Sequence, residues 1–218
     1  MTTSNSTRNL GVTAAVVGVV VAILAGFAIA QTMSDSDGDG GEQQVVTDES
    51  HRLDEVPDAK ATLVEFLDFE CEACGAAYPF IEDLRERYDG ELEFVVRYFP
   101  LEGHANSRNA AHAVEAAARQ GELEAMYQRM FDTQAEWGEQ QESQAPLFRS
   151  WAEELGLDMG QYDRDVDSDD VAERVERDFR DGSELDVTGT PTFFLNGERL
   201  EPQSEQDFYD AIDAALED

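Results

Sequence analysis

Two cysteines, Cys71 and Cys74, are the only thiols in the chain, and they stand in the sequence Cys71-Glu72-Ala73-Cys74. A helix places residues three apart on one side, so sulfurs at this spacing lie within reach of a disulfide. The preceding run Ala61 to Phe69 (ATLVEFLDF) is apolar and β-branched and reads as a buried strand. After it, Tyr78, Ile81 and Leu84 recur at helical spacing up to the stop signal Asp89-Gly90. The pair is therefore expected at the opening of a helix, where free N–H groups and the helix dipole favour a thiolate on Cys71. In that arrangement Cys71 attacks and Cys74 resolves the mixed disulfide. Two other readings of the same residues are a permanent structural disulfide and half of a metal site. The second lacks partners, because there is no third cysteine and His51, His104 and His112 are scattered.

The elements around the pair follow from periodicity. Leu92 to Pro100 (LEFVVRYFP) reads as a second strand between Gly90 and Pro100. From Asn106 to about Arg180 the pattern is helical: an Ala-rich run, then Leu123, Met126, Tyr127, Met130 and Phe131, then Leu147, Phe148, Trp151 and Leu155, then Val171, Val175 and Phe179. Strand signals return at Thr192 to Leu195, and Asn196-Gly197 is a two-residue hairpin signal. A last helix carries Phe208, Ile212 and Leu216 on one face. Trp137, Trp151, Met126 and Met130 are expected in the core, and His104 and His112 as surface or packing residues.

Composition narrows the function. Lys plus Arg number 15 against 49 Asp plus Glu, a net charge of -34, which repels phosphates and excludes a nucleic-acid partner. Lys60 is the single lysine, and the acids run through nearly every segment after residue 34. A dispersed excess of this kind reads as a halophile signature, the alternative being an acidic protein of an ordinary organism. Self-repulsion then weakens at molar salt, where the Debye length falls to roughly 3 Å.

Leu10 to Ala30 is a run of 21 uncharged residues, which as a helix spans about 31 Å and matches a bilayer core. Arg8 precedes it and Asp35, Asp37 and Asp39 follow, which places the N-terminus in the cytoplasm and the rest outside. Ala28-Ile29-Ala30 also fits a signal-peptide cleavage site, leaving a single-pass anchor or a secreted product as alternatives. Residues 31–56 are rich in Ser, Asp, Gly and Gln and read as a disordered acidic linker. Two stretches resemble calcium loops, but Val46 and Arg174 stand where each needs its bidentate glutamate.

Phe66-Leu67-Asp68-Phe69-Glu70-Cys71-Glu72-Ala73-Cys74, together with Val187-Thr188-Gly189-Thr190-Pro191-Thr192-Phe193-Phe194, resembles the DsbA-like branch of the thioredoxin superfamily over about residues 57–218. The resemblance implies an α/β thioredoxin fold with a helical insertion at about 104–183; the apolar run and the composition place a transmembrane or signal segment at 1–30 and the linker at 31–56 before it. It implies a cis Pro191 facing the cysteines, Thr190 offering backbone hydrogen bonds to an extended substrate, and Glu65 as a buried carboxylate that exchanges a proton with the resolving thiol. The alternative for Glu65 is an outward-facing strand residue. Where strongly oxidising relatives have Pro-His between the cysteines, this chain has Glu72 and Ala73, so a weaker oxidant is expected.

The leading functional reading is an extracytoplasmic, membrane-tethered thiol:disulfide oxidoreductase. It would pass a redox-active Cys71–Cys74 disulfide to reduced exported proteins, with no metal or organic cofactor. A quinone-linked membrane oxidase is the recycling partner that the resemblance implies. The alternatives are a reductase or isomerase, as in haem- or copper-protein maturation, and a non-catalytic surface scaffold with a structural disulfide.

Overall fold

A computed structural model describes residues 45–217. The apolar run 10–30 and most of the linker lie outside the described residues. Among the described residues no helix is long and apolar enough to cross a membrane.

The sheet is built from β1 (His51–Asp54), β2 (Ala61–Leu67), β3 (Leu92–Tyr98), β4 (Thr192–Leu195) and β5 (Glu198–Leu200), in the order β1-β3-β2-β4-β5. β2 and β3 run parallel in a register that sets Ala61 against Leu92 and Leu67 against Tyr98. Their connection is α1 (Glu72–Arg87), because parallel neighbours need a crossover. The other pairs are antiparallel, with Phe66 of β2 opposite Thr192 of β4. The β4–β5 hairpin turns at Asn196 (φ 50°) and Gly197 (φ 84°), the pair of left-handed residues that a two-residue turn requires.

β2 is central and covered on both faces, so its near-continuous apolar run has a physical cause. Leu63 and Leu67 join the large core under α1 and the insertion, whereas Val64 and Phe66 face a smaller cluster with Val95, Phe99, Val187 and Phe194. By the two-residue repeat, Glu65 shares the face of Leu63 and Leu67.

The insertion holds α2 (Ser107–Ala118), α3 (Leu123–Asp132), α4 (Gln134–Trp137), α5 (Ala145–Glu154), α6 (Met159–Val166) and α7 (Asp169–Glu184), and α8 (Glu205–Glu217) closes the chain. Small side chains let α2 approach its neighbours, with Ala110, Ala113, Ala116 and Ala117 buried. Met126, Met130, Trp137 and Trp151 are core residues, as expected. Asp158 and Ser168 cap α6 and α7 by accepting from Gln161 N and Val171 N.

The linker expected to run through residue 56 ends earlier. Residues 51–54 are a sheet-edge strand pairing with β3, and Val45 is buried in the smaller cluster. Its polar composition hid this, because donors from elsewhere in the chain add to the strand pairing that holds the segment. Arg97 Nη1 donates to Val45 O (2.8 Å), Arg174 Nη2 donates to Glu49 O (2.7 Å), and Asp54 accepts from Arg85 Nε (2.6 Å).

Candidate active site

Cys71 is the N-cap of α1, in extended backbone at φ -69° and ψ 121°. Its N–H donates to Asp68 O (3.1 Å), and its own carbonyl accepts the first helical bond from Gly75 N (3.0 Å). Cys74 follows one turn in, and the two sulfurs are free thiols. Cys71 is 6% exposed and Cys74 1%. Both residues are thus buried, the first less completely than the second.

The environments drive the two thiols apart. Cys71 is lowered to about 5: a hydrogen bond from Cys74 is the largest influence, burial opposes it, and Thr190 and the N–H groups of Cys74 and Ala73 add to the first. No side chain caps the helix start while Cys71 is a thiol, so those N–H groups gain a partner when the proton leaves. Cys74 is raised, first by burial and then by its bond to Cys71 and the charge of Glu65. One sulfur is a nucleophile near neutral pH and the other holds its proton.

The Thr190–Pro191 peptide bond is cis, and Cys71 Sγ lies 3.4 Å from Thr190 O. Thr192 Oγ1 donates to Gly189 O (2.8 Å) and ties this loop to the start of β4. Glu65 is 2% exposed, and its carboxyl is pushed up to about 8 by burial, with the charges of Cys71 and Glu82 adding. The structure therefore brings Cys71, Cys74, Glu65, Thr190 and Pro191 to one end of the central strands. Glu65 faces the cysteines and not solvent, so the outward-facing alternative does not hold.

Residues that sequence reasoning passed over complete the site. Gln134 of α4 donates from Nε2 to both Phe69 O and Cys71 O (2.8 Å each), clamping the loop that carries the cysteine. It can do so because residue 75 is glycine: a Cβ there would fall 2.0 Å from Gln134 Oε1. Glu70 is buried and accepts from Asn106 N (2.6 Å), while Phe69 packs on Phe131 with ring centroids 5.2 Å apart. Asp68 accepts from Glu70 N (2.9 Å), Leu101 N (3.1 Å) and His104 Nδ1 (2.6 Å). His104, expected at the surface or in packing, is part of this network. Glu72 points to solvent and shares a hydrogen bond with Glu139, and it is not among the leading influences on Cys71. Among the described residues no cluster of His, Cys, Asp and Glu is arranged to hold a metal ion.

A dithiol at a helix start beside a cis-proline loop, on a mixed sheet, defines a thioredoxin-type site. A family model described as thioredoxin matches residues 56–214, and the chain belongs to that family. Its fold is that of the DsbA-like proteins. A thioredoxin-like oxidoreductase from Silicibacter pomeroyi DSS-3 superposes with a TM-score of 0.68 at 24% identity, covering 82% of this chain and 98% of that one. BdbD from Bacillus subtilis gives 0.65 at 20% identity, over 78% and 94%. Wolbachia pipientis alpha-DsbA1 gives 0.68 at 17%, over 79% and 93%. In sequence, the chain is 40% identical over 148 residues to the Na(+)/H(+) antiporter NhaA 1 of Mycobacterium sp. (strain KMS), covering 66% of this chain and 23% of that protein. The corresponding protein of Mycolicibacterium gilvum (strain PYR-GCK) is 39% identical, again over 23% of its length. The chain thus spans less than a quarter of these relatives, so their transport activity does not carry over to it.

Proposed function

We propose that the protein is an extracytoplasmic thiol:disulfide oxidoreductase, tethered to the membrane by residues 10–30, that forms disulfides in exported proteins. The observation that carries this reading is the asymmetry of the cysteine pair: Cys71 is the less buried of the two and acidic, and Cys74 is more deeply buried with its proton retained. In the oxidised state a substrate thiolate attacks Cys71 Sγ. The Cys71–Cys74 bond breaks, Cys74 leaves as a thiolate, and Glu65 gives it the proton held at this buried site. A second substrate thiolate then attacks the substrate sulfur of the mixed disulfide and displaces Cys71, which departs as a stable thiolate. The two electrons of the new substrate disulfide end on the Cys71–Cys74 dithiol. A quinone-linked membrane oxidase is the proposed acceptor that restores the disulfide.

A thiolate near 5 falls between a strongly oxidising pair at about 3.5 and thioredoxin at about 7. The potential expected on that scale lies between roughly -120 and -270 mV. Equilibration of the full chain with glutathione buffers tests this. A value near -180 mV supports net oxidation of exported thiols, and one at or below about -270 mV makes the protein a reductase.

A further inference from the structure

The loop that carries Cys71 has a histidine partner distant in sequence. His104 lies between β3 and α2, its N–H bonded to Leu101 O (3.2 Å) and its Nδ1 2.6 Å from Asp68 Oδ2. A carboxylate only accepts, so Nδ1 carries the proton and Nε2 decides the charge. Asp68 is completely committed: Oδ1 takes Glu70 N, Oδ2 takes Leu101 N and the imidazole, and its carbonyl takes Cys71 N. The ring is thereby fixed against a residue that also holds the Cys71 backbone, through its N–H. Its side chain is 23% exposed, so proton exchange with solvent is open.

The charged groups facing this imidazole come from three elements: Asp68, Glu70 and Cys71 in the β2–α1 loop, Glu72 at the start of α1, and Glu139 after α4. All are acids. Burial favours the neutral ring, but the hydrogen bond and charge of Asp68 and the charges of Cys71 and Glu70 outweigh it and raise the His104 pKa. Coupling is reciprocal: if the Cys71 thiolate favours the imidazolium, the imidazolium favours the thiolate by the same free energy. The other two histidines are occupied elsewhere, His51 with Glu115 (2.6 Å) and His112 with the Val166 backbone. The residues between the cysteines, Glu72 and Ala73, supply no cation.

We propose that His104, seated on Asp68, is a positioning residue whose imidazolium stabilises the Cys71 thiolate across the loop. It touches no reacting atom and acts through charge. As pH rises and the imidazolium is lost, the thiolate loses that support, so the reduced protein is favoured less and the disulfide becomes a weaker oxidant. The consequence for potential rests on the oxidoreductase reading, while the charge coupling itself needs no turnover.

The test uses the reduced full chain. Thiolate absorbance at 240 nm gives the Cys71 titration, and His104→Gln keeps an amide donor for Asp68 without the charge. The expected result is a Cys71 midpoint moved to higher pH, with less thiolate at pH 5 than in the native chain and partial recovery in His104→Lys. As a check independent of the folding of His104→Gln, the ring is also titrated by NMR in the native chain and in Cys71→Ser, where its pKa should fall. Superimposable Cys71 titrations for the native chain and a folded His104→Gln overturn the proposal, as does an unchanged His104 pKa in Cys71→Ser. Coupling that persists in a protein unable to exchange disulfides would instead count against the oxidoreductase reading alone.

Discussion

Cys71 Sγ sits 3.4 Å from the carbonyl oxygen of Thr190, and the buried Thr190 hydroxyl has no hydrogen-bond partner among the described residues. The two atoms serve different protonation states. A thiol donates to the carbonyl, whereas a thiolate needs a donor, and the unspent hydroxyl proton is adjacent. Thr190→Val keeps the shape and removes that donor. A hydrogen bond to a charged group is worth about 1.5–3 kcal/mol, so the Cys71 pKa should rise by about one to two units. Thiolate absorbance against pH measures the shift, and Thr190→Ser should leave it small.

Glu65 gives a pH dependence of defined sign. Its folded pKa is raised to about 8 from an ordinary value of 4.5, so between these pH values the folded chain holds a proton that the unfolded chain has lost. The unfolded state binds fewer protons there, and stability contributed by this group falls as pH rises. Glu65→Gln removes the titration. Denaturant unfolding should find the variant and the native chain alike near pH 4.5 and the variant more stable at pH 8 to 9. Equal slopes across that window in both proteins would contradict the burial assigned here.

The clamp on the cysteine loop predicts a cost at a position that touches no substrate. Gly75→Ala places a Cβ against the Gln134 side chain, which must then give up Phe69 O and Cys71 O. Gln134→Ala loses the same donor without the clash. Each substitution should cost about 1–3 kcal/mol in urea unfolding, with Gly75→Ala no less harmful than Gln134→Ala.

A net charge of -34 acts on the whole fold. Screening at molar salt removes most of the repulsion, so the melting temperature should climb between about 0.1 M and 2 M sodium chloride. A flat or falling curve would contradict the halophilic reading.

Much of this architecture was legible in local pattern. The strand before the cysteines, the helix after them and the Asn196-Gly197 hairpin each follow from periodicity or turn chemistry within a few residues. The face of Glu65 was harder, because β2 is apolar on both sides and alternation alone does not say which side meets α1. What escaped was long-range. His104 reaches Asp68 across 36 residues and Gln134 reaches Phe69 across 65, and neither residue type announces such a contact. β1 was missed for a related reason: its Asp54 is satisfied by Arg85 and the segment before it is held by Arg97 and Arg174, so this polar edge shows no hydrophobic pattern.

The division of labour between the cysteines is tested most directly by trapping. The reduced full chain, as Cys74→Ser or as Cys71→Ser, is mixed with a peptide disulfide and analysed by mass spectrometry without reductant. Cys74→Ser should accumulate a stable mixed disulfide on Cys71, since the resolving thiol is gone, and Cys71→Ser should form almost none. Equal trapping by the two variants, or trapping only on Cys74, would contradict it.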